Sequence, residues 1–250
     1  MTKAQMTAQQ LYENKQFLDA AVMYEFDVFK SENIKERNEL LFAKYLCYKS
    51  LAQYDDAIST ISRIKYVRSD SVKARVGYEK SLTYYLSNEL SKSNLELQKL
   101  AGNQYNDTLA ISLLQVLVSV DQLHWEEARE LLSNGEVFEF SDQEVEQILP
   151  DKLKPKNSDK AENLSIIPGL GQWYAGYFWK GATSGVIQAA IGSFMVYSLV
   201  EGYIFSGTLT GAAGLYTFNL GGARHAGELA HRKNAELTSV IKKRFLKKVK

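Results

Sequence analysis

The stretch that decides the fold of the amino-terminal part is Phe17-Leu-Asp-Ala20, with Tyr24 four positions after the alanine. It consists of a bulky residue, two intervening residues, a small residue, and then an apolar or aromatic residue at helical spacing. The same pattern returns three times, as Tyr54-Asp-Asp-Ala57 with Ile61, Leu90-Ser-Lys-Ser93 with Leu97, and Trp125-Glu-Glu-Ala128 with Leu132. Successive small residues are 37, 36 and 35 positions apart. This period predicts a repeated unit of helix, turn and second helix, in which the small residue lets the two helices approach closely.

The repeated pattern resembles the tetratricopeptide repeat, whose period is about 34 residues. The resemblance covers roughly residues 1–135, and it departs from the family pattern at Ser93 and in having no proline that closes a repeat. It implies an all-α array of stacked helix pairs whose concave face binds a protein or peptide. In that register the residues toward the groove are Tyr12, Lys49, Arg75, Tyr78 and Tyr85. The alternatives are an irregular helical bundle with chance spacing, and tyrosines that only pack.

The average composition of the 250 residues conceals two unlike pieces. The net charge is +1 and the mean hydropathy is −0.26, as in an ordinary soluble protein. Residues 1–150, however, hold 16 basic and 23 acidic side chains, whereas residues 151–250 hold 14 and 6. The single cysteine, Cys47, excludes a disulfide scaffold and is expected to be a small core residue. Between the two pieces, residues 136–163 are predicted to form a linker with one short helix, which begins at a capping box of Ser141 and Glu144.

The second piece contains two uncharged stretches long enough to cross a bilayer. From Ser165 to Ala223 the only charged residues are Lys180 and Glu201, so that 20 and 22 uncharged residues follow them. A spanning helix needs about 20 mostly apolar residues. The sequence therefore predicts a membrane module over residues 164–234 with two spanning helices. The alternative is a soluble protein in which two buried helices pack on the repeats.

Small residues and aromatic residues support the membrane prediction. Both stretches open with glycines four positions apart, which would allow close helix packing or a homo-oligomer; these are Gly181, Gly185, Gly207 and Gly211. Before the first stretch, one helical face is predicted to lie in the membrane interface and to carry Leu170, Trp173, Tyr174, Tyr177 and Phe178.

The carboxy-terminal tail, residues 235–250, is predicted to bind an anionic lipid surface. Its basic residues include Lys242, Lys243, Arg244, Lys247 and Lys248. They lie beside an apolar stripe made of Leu237, Val240, Ile241 and Phe245. This pattern suits lipid better than nucleic acid.

The most specific string is Ile166-Ile-Pro-Gly-Leu-Gly-Gln-Trp-Tyr-Ala-Gly176. It resembles the Pro-Gly-x-Gly-Gln-x-Tyr-x-Gly motif of small bacterial membrane domains, mostly of unknown function, which are similar to two-transmembrane-helix domains. The motif positions are Pro168, Gly169, Gly171, Gln172, Tyr174 and Gly176. Together with the repeats, the whole chain resembles bacterial proteins that join tetratricopeptide repeats to a membrane hairpin, and this implies a membrane-anchored repeat protein.

No group of residues predicts catalysis, a metal site or a cofactor. His225, Glu228 and His231 are the nearest approach to a zinc site, but the two histidines point about 120° apart on a helix. We therefore expect a non-enzymatic scaffold that binds a protein partner at a bacterial inner membrane and contacts lipid but no nucleic acid. The alternative is a small pore, transporter or lipid-handling element, in which Gln172, Asn219 and Glu201 would share a polar cavity. The basic residues outside the hairpin favour cytoplasmic repeats, and removal of a leader would instead make them periplasmic.

Overall fold

Every regular element is helical in the computed structural model, which describes residues 6–65, 70–100, 108–134 and 137–249. The predicted all-α fold class is confirmed. The chain forms two compact units, Met1–Phe140 and Ser141–Lys250. The first unit contains α1 (Ala8–Glu13), α2 (Phe17–Lys30), α3 (Ile34–Ser50), α4 (Tyr54–Ile61), α5 (Asp70–Leu86), α6 (Leu90–Leu100), α7 (Thr108–Asp121) and α8 (Trp125–Ser133). The second contains α9 (Asp142–Ile148), α10 (Ser158–Leu164), α11 (Leu170–Tyr174), α12 (Phe178–Val200), α13 (Ile204–Ser206), a π-helical segment (Gly207–Ala212) and α14 (Ala213–Val249).

One turn geometry recurs four times in the first unit. The bulky residue of each sequence pattern is the first residue of α2, α4, α6 or α8. Two positions earlier lies a non-glycine residue in the left-handed region; these are Lys15, Ala52, Asn88 and Leu123, with φ of 60°, 55°, 63° and 63°. In the first turn, the N–H groups of Lys15 and Gln16 donate to the carbonyls of Tyr12 and Leu11. These are the two hydrogen bonds of a Schellman motif, which satisfies the last carbonyls of the preceding helix.

The small residue of each pattern is fully buried between paired helices. Ala20, Ala57, Ser93 and Ala128 are each 0% exposed. Ser93 replaces alanine without leaving its hydroxyl unpaired, because it donates to the carbonyl of Ser81 at 2.9 Å while the Ser81 hydroxyl donates to the carbonyl of Ser93 at 3.0 Å. A buried hydroxyl with a partner avoids most of the desolvation cost. Two reciprocal hydrogen bonds between Ser81 and Ser93 therefore join α5 and α6, the helices of the third pair.

The repeated left-handed position predicts an unusual effect of glycine. We expect Ala52→Gly to stabilise the first unit by about 0.5–1 kcal/mol, because the φ of +55° costs alanine more than glycine. Ser59→Gly, at an exposed site inside α4, is the matched control and should destabilise by about 0.5 kcal/mol. Hydrogen exchange of peptides from α3 and α4 measures both effects. A loss of protection in both variants would contradict the assigned turn.

The second unit is organised around α14, a helix of 37 residues that is about 55 Å long. Its amino-terminal part, from Ala213 to Gly222, lies antiparallel to α12, and α14 also contacts α9, α10 and α11. A small core joins these elements and consists of Ala161, Ala175, Ala226, Leu229 and Ala230. Helix α14 thus connects the other elements of the second unit.

The second unit agrees with the sequence prediction at one helix start and departs from it elsewhere. Among the described residues, only α12 is long and apolar enough to cross a membrane. The other uncharged stretch is divided among α13, the π-helical segment and the start of α14, since glycine and polar residues dilute it. The face predicted for one interfacial helix is divided between two helices, because Gly176, with a φ of +90°, ends α11 before α12 begins. The capping box that starts α9 is confirmed, whereas α10 falls in a polar stretch that lacked a predicted helix.

Candidate functional sites

The proline–glycine motif, residues 166–176, is a backbone-to-backbone junction between α11 and α12. Gly169 precedes α11 with a φ of +85°, and a Cβ added there would overlap the carbonyl oxygen of Gly181. A Cβ on Gly181 would in turn overlap the indole ring of Trp173. At Gly171 the same addition would overlap the carbonyl oxygen of Ala161 on α10. These three glycines are needed because main chain lies where a side chain would have to fit.

The other motif residues connect this junction to the rest of the unit. The Gln172 side chain is buried and donates to the carbonyl of Gly222 on α14 at 3.1 Å. The hydroxyl of Tyr174 accepts from the backbone N–H of Asn157 at 3.1 Å, and Lys156 and Lys160 lie over its ring. Gly176 forms the left-handed turn before α12, while Pro168 is exposed beside Ile167. The motif therefore fixes the start of α12 against α14.

Glycine also lines the contact between α12 and the chain that returns beside it. A Cβ added to Gly211 would lie 2.6 Å from the Cβ of Met195, and one added to Gly207 would lie 2.8 Å from the Cγ of Leu199. Together with Gly181, three of the four glycines singled out in the sequence thus contact other parts of the same unit. Gly185 is half-buried, and an added Cβ there would make only an ordinary contact with the carbonyl of Pro168, at 3.5 Å.

A polar cluster lies between the amino-terminal end of α12 and α14. The amide of Gln188 donates to the hydroxyl of Ser184 at 3.3 Å and accepts from Asn219 at 3.4 Å. Asn219 also donates to the carbonyl of Ser165 at 3.1 Å. Gln172 belongs to the same cluster and is 2% exposed, and its Oε1 has no hydrogen-bond partner in the described part of the chain. Glu201 lies apart from this cluster, exposed in the turn that follows α12.

An open cavity beside the polar cluster, the α12–α14 groove, has a volume of about 900 Å³. It is lined by Gln172, Trp179, Lys180, Thr183, Ser184, Ile187, Ile191, Gly214, Thr217, Phe218, Gly221, Gly222 and His225. Gly221 leaves one wall open, because a Cβ added there would meet no atom within 4 Å. The groove is thus bounded by polar side chains at one end and by aliphatic and aromatic side chains at the other.

The surface of α12 and of the chain that follows it is unusually apolar. Only 17% of the most apolar 18-residue window of α12 is buried. The exposed large apolar residues are Phe178, Trp179, Val186, Ile187, Phe194, Val196, Tyr197, Leu199, Val200, Tyr203, Ile204, Phe205, Leu209, Tyr216 and Leu220. Water-exposed apolar patches of this size mark a contact with membrane or protein. Aromatic residues occur at both ends of α12, as at the two interfaces of a bilayer.

The basic tail lies on α14, and part of its apolar stripe is buried within the protein. Ile241 and Phe245 are both buried, next to the region where α14 contacts α9. Arg244 donates to the carbonyl of Gln147 at 3.1 Å, and Lys248 pairs with Glu144 at 2.9 Å. These two basic residues therefore hold α9, whereas Lys243 and Lys247 are exposed and Lys242 is half-buried. Because Ile241 and Phe245 already have protein neighbours, only the exposed remainder of the tail can face a lipid surface.

In the first unit, the five residues predicted for a peptide groove have different partners. Lys49 pairs with Glu79 at 2.6 Å, and the Tyr85 hydroxyl donates to Asp121 at 2.8 Å. Tyr12 packs edge-on against Phe17, and Tyr78 contacts the core around Leu97 and Leu114. Arg75 lines a pocket of about 340 Å³ between α3 and α5, where its guanidinium lies 3.9 Å from the ring centroid of Phe42. Most of these residues connect helices to each other.

A different surface of the first unit, missed in the sequence prediction, is an apolar row on α2. This α2 stripe consists of Leu18, Val22, Phe26 and Phe29, all exposed, with Phe29 at 85%. The opposite face of α2 buries Ala20, Ala21, Tyr24 and Val28 in the core. The helix is therefore apolar on two faces, and the spacing of residues 18, 22, 26 and 29 was the signal that could have revealed the second one.

Charged and ionisable groups of the first unit have structural partners. Glu25 on α2 binds Arg63 at 2.8 Å and Lys44 on α3 at 2.7 Å. The hydrogen bonds from Arg63, together with Lys44, hold the pKa of Glu25 at about 2, against the opposing effect of burial. Burial raises the pKa of the Cys47 thiol to about 11, so the thiol remains protonated and poorly nucleophilic at neutral pH. This arrangement agrees with a core position for Cys47.

No protein-family model, curated protein or solved structure matches this chain.

Proposed function

We propose that this chain is a membrane-anchored helical-repeat scaffold that binds a protein partner at a bacterial membrane. The observation that carries the proposal is the exposure of α12, a helix of 23 residues with only 17% of its apolar window buried. A core helix of a soluble protein would be mostly buried, because exposing this much apolar surface to water is costly. We infer that the bilayer covers α12 and that α13 and the start of α14 complete the membrane module.

The proposal assigns the tetratricopeptide-like role to the first unit. Its support is the turn that recurs at Lys15, Ala52, Asn88 and Leu123, each followed two residues later by a helix that buries a small residue. Repeats of this kind stack into extended surfaces suited to protein binding. The α2 stripe is the partner site that the exposure pattern favours, since four large, exposed apolar side chains lie in one row on α2.

Charge supports one orientation of the membrane module. Lys180 and Arg224 lie where α12 and α14 leave the uncharged region, and Glu201 lies in the turn at the opposite end. The positive-inside rule then favours a cytoplasmic location for the basic end and for the first unit. The alternative function, a membrane element with its own activity, is supported by the α12–α14 groove. A polar path across the membrane is less favoured, because Glu201 lies apart from Gln172 and Asn219.

Partner binding can be tested by co-purification from native membranes with a doubly substituted α2 stripe. We expect Phe26→Ser with Phe29→Ser to reduce recovery of the specific partner at least roughly tenfold, because partner contacts at two large apolar side chains are lost. Both residues are exposed, so circular dichroism should remain unchanged. Leu95→Ser, at an isolated exposed position on α6, is the matched control and should leave recovery intact.

Two outcomes would contradict this assignment. Equal recovery of the partner with the double variant and with the control would exclude the α2 stripe. Loss of the partner in Arg75→Ala, with full recovery in the stripe variant, would move the site to the pocket between α3 and α5.

A further inference from the structure

The α12–α14 groove has a gradient of polarity along its length. At one end it is lined by Lys180, Gln172 and His225, and at the other by Ile187, Ile191 and Phe218. Lys180 and Ile191 are 11 positions apart on α12, so the groove runs for about 16 Å along the helix. Half of a hydrocarbon core of about 30 Å is about 15 Å. The groove therefore has the length of one leaflet.

The polar end has one cation without a carboxylate partner. Lys180 lies 5.3 Å from the ring centroid of Tyr177, and no carboxylate of the described residues is within 4.0 Å of its ammonium group. His225 has Glu228 at 3.7 Å beside it, so any positive charge on the imidazole is offset. Lys180 is thus the side chain at the polar end of the groove that is best placed to pair with an anionic group.

The groove is kept open by missing side chains. Gly214 and Gly221 line the groove, and a Cβ at Gly221 would touch nothing within 4 Å. Gly214 would allow an added Cβ at 3.6 Å from Ile191, which is an ordinary contact. These glycines are not explained by helix packing, in contrast to Gly207 and Gly211, which lie directly against side chains of α12. Space for a narrow, flexible, apolar chain is what remains.

We infer that the α12–α14 groove binds one acyl chain of a membrane phospholipid, with the lipid phosphate at Lys180. The occupant follows from the length of one leaflet, the apolar walls and the unpaired cation at the level of the headgroups. This inference rests on the membrane placement in the proposed function. The inference adds one specific lipid site to a membrane module that otherwise contacts lipid only nonspecifically.

The site can be tested by native mass spectrometry of the full chain in detergent, titrated with phosphatidylglycerol. We expect one lipid to bind more tightly than any further ones. Gly221→Leu should weaken this first binding roughly tenfold, because the new side chain occupies the space of the acyl chain. Ala190→Leu adds a leucine at an exposed position of α12 outside the groove and should leave the binding unchanged. Lys180→Gln should weaken phosphatidylglycerol binding and leave the weaker binding of diacylglycerol unaffected.

The results that would overturn the site differ from those that would overturn the anchor. Equal lipid binding in Gly221→Leu and wild type would show only nonspecific lipid around the helices. If Lys180→Gln leaves phosphatidylglycerol binding unchanged, the lipid phosphate does not bind at Lys180. A chain that fractionates with membranes but retains no lipid in detergent would reject the groove site while leaving the membrane anchor intact.

Discussion

Replacing Gly169 by alanine is expected to lower the free energy of unfolding of the second unit by roughly 3 kcal/mol. Two costs combine at this position. The φ of +85° is strained for any residue with a Cβ, and that Cβ would overlap the carbonyl oxygen of Gly181. Since a Cβ is fixed to the backbone and the carbonyl oxygen belongs to the main chain, no side-chain rotation can relieve the overlap. Thermal unfolding in detergent, with hydrogen exchange of peptides from α10 to α12, measures the loss.

Gly221→Ala is the matched control for this prediction. Gly221 is also a glycine of the second unit, but it lies within α14 and a Cβ there would meet nothing within 4 Å. Alanine should therefore stabilise the helix, by up to about 1 kcal/mol. If the two substitutions had the same small effect, the close approach of α11 and α12 would not be what the motif glycines provide.

The helix pairs of the first unit could be predicted because one sequence pattern carries several physical requirements at once. A small residue such as Ala57 predicts where two helices approach, and the bulky residue three positions earlier predicts where the second helix begins. The left-handed residue before each of these helices could not be predicted in the same way. Leucine strongly disfavours a positive φ, yet Leu123 adopts +63° because the two hydrogen bonds of its turn and the packing of α7 and α8 over-determine the backbone.

In the second unit, some sequence patterns were compatible with two different structures, so the structure could not be predicted from them. An apolar stripe beside basic residues suits a lipid surface or a second helix equally well, and amphipathicity alone does not distinguish them. For Ile241 and Phe245 the protein supplies the cover, on a helix that binds α9. The aromatic periodicity from Leu170 to Phe178 suggested one helix, but Gly176 was the stronger signal because it ends a helix in a left-handed turn.

The polar residues beside the groove are close together in space although they are far apart in the sequence. From the sequence, Gln172 and Asn219 are expected to share a polar cavity, with Glu201, only under the alternative of a pore, transporter or lipid-handling element. Packing of α11 and α12 against α14 brings Gln172, Gln188 and Asn219 together beside the groove, where Gln172 donates to the Gly222 carbonyl and Asn219 donates to Gln188. Their proximity depends on the antiparallel register of α12 and α14, in which Gly192 lies near Leu215 and Gly214 lies near Ile191. No local pattern encodes that register, so the groove could be found only from the structure.

Introducing a charge on the exposed face of α12 is expected to have the other large effect. Val186→Arg lies near the middle of α12, at a position that is 70% exposed and outside the groove. An arginine at the centre of a spanning helix costs about 2.5–3.5 kcal/mol, which corresponds to a shift of roughly a hundredfold in the ratio of inserted to non-inserted chain. After alkaline extraction of membranes, we expect the wild-type chain in the pellet and a large part of the variant in the supernatant or in aggregates.

Val22→Arg supplies the control, because Val22 is a similarly exposed valine, at 63%, on the α2 stripe of the first unit. It should leave the chain in the membrane while weakening partner recovery, so the two variants separate anchoring from binding. Should α12 instead be an exposed helix of a soluble protein, wild type and both variants would all remain in the supernatant, and the membrane proposal would be wrong.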